Sequence, residues 1–192
     1  MNILIIFAHP DEQSFCASLR DNFIAGLQET NQIIRTHNLY KEKFNPILSR
    51  EELRDKKTLA QDKQALQYQR DIIWAEIIVI IHPAYWYGVP AILKGYFDRL
   101  FTEGFAYDYI IDHPEPKLLG KKGILIQTFD AEEELEKTLF EDTTYKSVYF
   151  PWKYCGIDNW ERFTMFRVSF VDDVKRNEWL KQAYLLGKNI DI

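Results

Sequence analysis

The chain of 192 residues is poor in glycine and cysteine and contains no long apolar run. Its eight glycines form neither GxGxxG nor GxxxxGK(S/T), which excludes Rossmann dinucleotide sites and P-loops. The two cysteines, Cys16 and Cys155, are too few for a disulfide framework and form no CxxC metal pair. The longest aliphatic run, residues 77–81, is too short to span a bilayer, so we expect no stable membrane insertion.

Positive charge is also scarce, with 24 basic against 29 acidic residues and a formal net charge of −5. No basic run is present that could neutralise a phosphate backbone, so nucleic acid is not an expected partner. The first residues, MNILIIFAHPDE, place no positive charge before the apolar stretch, unlike a secretory signal peptide. We therefore expect a cytoplasmic protein.

Aromatic residues are abundant: 13 Phe, 11 Tyr and 5 Trp make up 15% of the chain. Such an excess fits either a stacking site for a flat ligand or a well-filled core. With 46% hydrophobic and 28% charged residues, the composition is that of a globular protein. The length predicts a single domain over residues 1–192.

Apolar runs alternate with helical periodicity along the chain. Strands are predicted at 3–7, 33–40, 77–81, 123–128 and 163–171, and helices at 14–29, 61–74, from Pro90, and from Asp172 to about Leu186. Residues 41–60 read as irregular and residues 102–120 as an insertion loop. This order predicts a three-layer α/β sandwich with a five-stranded parallel sheet of flavodoxin-like order 2-1-3-4-5. Ligands of such sheets bind beyond the carboxyl ends of the strands, so the loops after strands one, three and four are the informative ones.

The loop after the first strand, HPDEQSF, opens a helix whose free amides and dipole attract anions. Ser14 can cap that helix or donate to a phosphate, and His9 can supply a second donor. An ordinary capped turn explains the same residues equally well. AHPDE is also similar to the signature of zinc-dependent N-acetylglucosaminyl deacetylases, but the later HxxH that supplies further ligands is absent.

The loop after the third strand, PAYWYGVP, carries three consecutive aromatic residues. Directly after a buried strand, Tyr85, Trp86 and Tyr87 cannot all point inward. At least one is expected to face a planar ligand or, alternatively, a partner subunit.

Three segments together resemble the NAD(P)H quinone oxidoreductases of flavodoxin-like fold: ILIIFAHPDEQSF, HPAYWYGVPAILKGYFDRLFTEGFAYDY and the closing FVDD with its helix. That group includes DT-diaphorase and the ancillary flavoprotein of the glutathione-gated potassium-efflux system. The resemblance implies FMN or FAD as cofactor, NAD(P)H as electron donor, a quinone or similar small-molecule acceptor, and a homodimer, with a regulatory contact to a membrane transporter as a further possibility. It assigns His9, Ser14, Phe15, Cys16, Ala84, Tyr85, Trp86, Tyr87 and Thr128 to the flavin, and Tyr107 and Tyr109 to the substrate mouth facing the partner subunit.

The chain departs from this family after the fourth strand, where TTGG is replaced by QTFD. Thr128 is kept, but Phe129 brings bulk, and the carboxylate of Asp130 would disfavour an anionic reduced flavin. No histidine follows His113, so the family's histidine in this loop has no counterpart, and Tyr145 and Tyr149 are the candidates to replace it. Two hypotheses remain: a flavin-dependent oxidoreductase, or a flavodoxin-like regulatory or binding protein with a weakened flavin site and little turnover.

Overall fold

The computed structural model describes residues 1–55, 59 and 61–190. Within these residues the strands are β1 Asn2–Phe7, β2 Ile33–Asn38, β3 Ile77–Pro83, β4 Tyr107–Ile110, β5 His113–Pro116, β6 Lys122–Thr128 and β7 Asn159–Met165. The α-helices are α1 Phe15–Gln28, α2 Arg50–Arg54, α3 Lys63–Trp74, α4 Ala91–Leu100, α5 Thr143–Tyr154 and α6 Asp173–Lys188, and a π-helical turn covers Leu135–Leu139.

The five strands β2-β1-β3-β6-β7 form a parallel sheet in that order. Counted among themselves, the sheet strands follow the order 2-1-3-4-5, which confirms the predicted flavodoxin-like arrangement. The central strands β1 and β3 are apolar along almost their whole length because helices cover both faces. β4 and β5 pair separately as an antiparallel hairpin.

Two apolar layers hold the sheet between the helices. On one face α1 and α6 pack over β1, β3 and β6, with Phe23 and Trp179 in the layer. On the other face α3, α4 and α5 pack over the same strands, with Tyr96 and Trp152 buried there. Within the described ranges, no helix combines the length and apolarity needed to cross a membrane.

Several boundaries differ from the sequence-based expectation. The second strand ends at Asn38 rather than residue 40, and the predicted fifth strand, 163–171, is wrong except for its first three residues. β7 stops at Met165 because its neighbour β6 ends at the paired Thr128, and Arg167 then turns the chain with a left-handed φ of 57°. Residues 102–120 contain the β4–β5 hairpin rather than only a loop, and α2 and α5 were not predicted.

Candidate functional site

A cavity of about 250 Å³ lies at the carboxyl edge of the sheet, beyond β1, β3 and β6. It is lined by His9, Ser14, Phe15, Cys16, Pro83, Ala84, Tyr85, Thr128, Phe129, Asp130, Val168 and Ser169. Seven of the nine residues predicted to hold a flavin are in this lining, and Trp86 and Tyr87 are not. The parallel topology explains the convergence, because all the strands end at the same edge.

Ser14 caps helix α1. Its Oγ accepts a hydrogen bond from the Ala17 amide at 3.1 Å and donates to the Asp11 carbonyl at 2.8 Å. Because the hydroxyl hydrogen is engaged within the loop, the anion donors at this end of the cavity are the other amides of the first helical turn. The helix dipole adds partial positive charge at the same place.

His9 stands beside that helix start with one ring nitrogen engaged. Nδ1 lies 3.0 Å from the Asp11 amide nitrogen and 3.1 Å from the Asp11 carbonyl oxygen, so this nitrogen is engaged within the loop. Burial lowers the pKa of His9, so the neutral form prevails near pH 7. His9 therefore brings a neutral imidazole rather than a positive charge to the cavity.

The loop after β3 folds into a tight turn. Tyr85 and Gly88 exchange amide–carbonyl hydrogen bonds at 3.0 Å each, and the intervening Trp86 and Tyr87 have φ values of 53° and 54°. Two left-handed residues inside a two-residue turn are the type I′ pattern. The turn directs Tyr85 to the cavity, whereas the Trp86 side chain is 100% exposed.

Tyr87 packs against a residue that the sequence did not suggest. Its ring stacks on Phe140 with centroids 3.6 Å apart and planes 22° apart. Phe140 follows the π-helical turn in the segment between β6 and α5. No motif in the sequence marks Phe140, because its partner is about fifty positions away.

Cys16 and Thr128 form the inner wall of the cavity. Burial raises the pKa of the Cys16 thiol to about 12, although a hydrogen bond with Thr128 opposes the shift. Cys16 is therefore a neutral thiol near pH 7, and it contributes shape rather than a nucleophile.

The segment that departs from the family pattern also lines the cavity. Phe129 is buried and packs against Phe166 with ring centroids 4.9 Å apart and planes tilted by 30°, so its ring is part of the protein interior. Asp130 Oδ1 accepts from the Ser169 amide at 2.9 Å, which ties the loop after β6 to the turn after β7. Sequence reasoning missed Val168 and Ser169 because it placed them inside the fifth strand. Their position just after the last strand of a parallel sheet was the available signal.

The tyrosines predicted for the substrate mouth lie elsewhere. Tyr107 lines a second cavity of about 280 Å³ between α4 and α5, together with Tyr154 and Cys155. Tyr109 reaches Tyr154 through their hydroxyls, 3.2 Å apart. Within this chain, neither Tyr107 nor Tyr109 joins the cavity at the sheet edge.

Tyr145 and Tyr149, the candidates to replace the missing histidine, stack on each other along α5 with centroids 5.3 Å apart. The Arg162 guanidinium lies 4.1 Å from the Tyr145 ring centroid. Neither tyrosine lines the cavity at the sheet edge.

Across the described residues, no group of three His, Cys, Asp or Glu side chains is placed to hold a metal ion.

The family profile described as "Flavodoxin-like fold" matches residues 1–185. The chain belongs to this flavodoxin-like family. An uncharacterized NAD(P)H oxidoreductase of Haemophilus influenzae is 32% identical over 186 residues, which cover 95% of this chain and 92% of that protein. NAD(P)H dehydrogenase (quinone) 1 of Cavia porcellus is also 32% identical, over 69% of this chain and 54% of the relative, so the match spans about half of that enzyme.

Among solved structures, the NAD(P)H:quinone oxidoreductase of Methanothermobacter marburgensis superposes on this family member with a TM-score of 0.82. The two are 28% identical, and the match covers 100% of this chain and 99% of the other. The similarity thus extends over the sheet, both helical layers and the loops at the carboxyl edge.

Proposed function

We propose that the protein is a flavin-dependent NAD(P)H oxidoreductase that reduces quinones or related small acceptors by hydride transfer. The observation that carries this proposal is the cavity at the carboxyl edge of the sheet, where anion donors, apolar walls and aromatic side chains converge. The family relationship supports the same reaction class, because both the bacterial relative and the archaeal structure are named as NAD(P)H oxidoreductases.

The residues of the cavity fit a flavin, FMN or FAD. The first-turn amides of α1 and the imidazole of His9 would bind its phosphate, and Ala84, Tyr85 and Thr128 would contact its ring system. A bound flavin supplies the hydride chemistry, and the protein supplies position and electrostatics. This division explains why the lining includes no activated nucleophile: Cys16 is a neutral thiol and Ser14 is a helix cap.

The protein works as a cytoplasmic homodimer in this proposal, with Tyr107 and Tyr109 completing the partner's substrate mouth. The support is the surface around the β4–β5 hairpin, where Tyr109, Ile110 and Ile111 are largely exposed. An exposed apolar cluster of this kind marks an interaction surface. A subunit packed there would bring its own hairpin to the neighbouring chain under two-fold symmetry.

An absorption titration tests the cofactor and the reaction. Purified protein is expected to bind FMN or FAD at micromolar concentration, and anaerobic NADH or NADPH is expected to bleach the visible flavin band. Added quinone should restore the band with one NAD(P)H consumed per quinone reduced to hydroquinone. Absence of binding by both flavins would refute the proposal. Chromatography of the released cofactor distinguishes FMN from FAD.

A regulatory or binding protein with a weakened flavin site is the second candidate. The specific observation in its favour is that Asp130 places a carboxylate in the cavity wall, beside the bulk of Phe129. The fixed negative charge of Asp130 would oppose the negative charge that the flavin gains on reduction. Flavin that binds but is bleached by neither NADH nor NADPH would favour this candidate over the enzyme.

A further inference from the structure

Glu136 is an ionisable residue in a fully buried position. It lies in the π-helical turn Leu135–Leu139, and neither its side chain nor that of Thr144 on α5 is exposed. Glu136 Oε1 accepts from the Thr144 amide at 3.0 Å, and the Glu136 backbone carbonyl accepts from the Asp142 amide at 2.8 Å. The residue thus closes the intervening loop of chain onto the first turn of α5.

The second carboxyl oxygen of Glu136 has no donor of its own. Oε2 is buried and receives no hydrogen bond from the part of the chain that the structure describes. The nearby guanidinium of Arg162 on β7 is paired with Asp142 Oδ1 at 3.1 Å and lies 4.1 Å from the Tyr145 ring centroid. A buried carboxylate without a paired cation is costly, whereas a neutral carboxyl can donate from Oε2 to the buried Thr144 hydroxyl beside it. The surroundings therefore favour a neutral Glu136.

Protonation of Glu136 and closure of the loop are linked. Burial raises the pKa of Glu136, the hydrogen bonds with Thr144 oppose the rise, and the charges of Asp142 and Arg162 act in opposite directions. The closed loop therefore binds the proton more tightly than an open loop, in which the carboxyl would have its ordinary pKa of 4.5. Closure is strongest below about pH 4.5 and weakens as the pH rises to the pKa of the closed form.

The backbone of the same loop is held in an unfavourable conformation. Glu141 and Asp142 are consecutive residues with φ values of 49° and 58°, a region that residues other than glycine seldom adopt. Such conformations persist only where surrounding contacts hold them. The contacts here are those of Glu136 with α5 and the pair between Asp142 and Arg162. Weakening the first of them favours opening of the loop.

We propose that Glu136 is a proton-operated latch, which holds residues 135–142 on α5 when it is neutral and releases them when it ionises. The released segment includes Phe140, whose ring stacks on Tyr87 with centroids 3.6 Å apart. Tyr87 belongs to the turn that presents Tyr85 to the cavity. The latch thus makes the packing against that turn sensitive to pH. This role goes beyond the proposed function and does not depend on flavin binding.

Hydrogen exchange of the backbone amides in residues 135–142 measures opening of the latch. Exchange of the full chain is followed from about pH 5 to pH 8, with each rate corrected for the intrinsic effect of pH. The opening constant of the wild type should rise about threefold to tenfold over this range. Glu136→Gln keeps an acceptor for the Thr144 amide and has no titratable proton. Its opening constant should stay at the level of the wild type at about pH 5.

Glu134→Gln is the matched control, because Glu134 is an exposed glutamate next to the same turn. It should keep the pH dependence of the wild type. An opening constant of the wild type that does not change with pH, or an equal rise in Glu136→Gln, would overturn the latch. The amides of α1 are the internal reference. A parallel rise there would mean global unfolding and would overturn the latch as well.

A titration of the wild type alone decides the point if Glu136→Gln does not fold. Carbon-13 NMR follows the carboxyl carbon of Glu136, assigned by through-bond correlation to its own side-chain protons. Its midpoint should lie above the ordinary value of 4.5 and should match the pH at which the exchange rates level off. A carboxyl that titrates at or below that ordinary value would show that the closed loop does not retain the proton, and the latch would be wrong.

Discussion

Asp130 carries the charge that most directly opposes flavin reduction. Its Oδ1 is held by the Ser169 amide, and the residue lines the cavity. Asp130→Asn keeps an acceptor for that amide and removes the charge. We expect the flavin reduction potential to rise by about 30 mV, equivalent to about 1.4 kcal/mol for a two-electron couple.

A spectroelectrochemical titration of the two proteins measures this difference. Glu132→Gln, an exposed change two residues along, serves as the control for general loss of negative charge. Equal potentials in Asp130→Asn and the wild type would show that the carboxylate does not act on the cofactor. Asparagine is preferred to a double replacement of Phe129 and Asp130 by glycine, because Phe129 is buried against Phe166 and its loss would also disturb the core.

His82 makes folding sensitive to acid. His82 is fully buried. Its Nδ1–H donates to the carbonyl of the next residue, Pro83, at 2.8 Å, and its Nε2 accepts from Gln127 Nε2 at 3.2 Å. Burial lowers the pKa of His82 to about 4, although the Pro83 carbonyl opposes the shift. The unfolded chain, with a histidine pKa of about 6.5, therefore binds the proton first as the pH falls. Stability from this group is complete above about pH 6.5 and is lost as the pH falls toward about 4.

Urea unfolding at pH 7 and pH 4.5 checks this linkage. Between pH 7 and pH 4.5 the free energy of unfolding should fall in both proteins. The fall in His82→Gln should be smaller than that in the wild type by about 2–3 kcal/mol. Val174→Gln, on an exposed side chain that carries no titratable group, should leave the wild-type pH dependence unchanged. Equal losses in His82→Gln and the wild type would contradict the assigned role.

At the scale of elements, α1 and α6 approach each other through glycines. A Cβ added at Gly187 would lie 2.2 Å from the Phe23 carbonyl oxygen, and one added at Gly26 would lie 2.0 Å from the Tyr184 carbonyl oxygen. Both obstacles are backbone atoms, which cannot move aside as a flexible side chain can. The two helices must therefore separate to accept any side chain there.

Gly187→Ala is expected to destabilise the protein by about 1–3 kcal/mol through overpacking. The loss outweighs the gain of about 1 kcal/mol that alanine brings over glycine in a helix. Urea unfolding measures the change, with Lys181→Ala on the exposed side of α6 as the control. An alanine variant as stable as the wild type would mean that α6 can shift without cost.

A buried arginine on α4 anchors the irregular segment around α2. Arg99 on α4 is buried and pairs with Glu52 and with Asp62 at 2.9 Å, and it donates to the Asn45 carbonyl at 2.7 Å. One guanidinium thus ties two parts of an irregular region to the helical layer. A buried cation with these partners costs several kcal/mol to desolvate, so the ion pairs position the chain more than they stabilise it.

At the scale of the whole molecule, the exposed β4–β5 hairpin predicts a homodimer. Ile111, at the turn between β4 and β5, is 95% exposed, and the adjacent Ile110 is 59% exposed. Ile111→Asp should convert a dimer into monomers, because a two-fold interface would bury the new charge twice. Sedimentation velocity at micromolar concentration measures the change. Val174→Asp, a similar change on the start of α6, should leave the dimer intact, and a monomeric wild type would refute the assembly.

Much of the fold could be predicted from local pattern. The apolar runs that became β1, β3 and β6 are strands because they are covered on both sides, and their alternation with helices led to the parallel sheet. The hairpin and α5 were missed because Tyr107 and Trp152 lie among mixed sequence without clear periodicity. Their structure depends on contacts with distant residues.

The sequence by itself determined which loops meet at the carboxyl edge, because alternating strands and helices predict a parallel sheet, whose strands all end at the same edge. The scarcity of glycine likewise excluded glycine-built phosphate loops and marked Phe129 and Asp130 as a departure from the family pattern. Only the tertiary structure decided where the aromatic side chains point. Trp86 turned to solvent, Tyr87 turned to Phe140, and Ser169 reached Asp130. Those outcomes depend on backbone dihedral angles and on contacts between residues far apart in the chain, which no local pattern encodes.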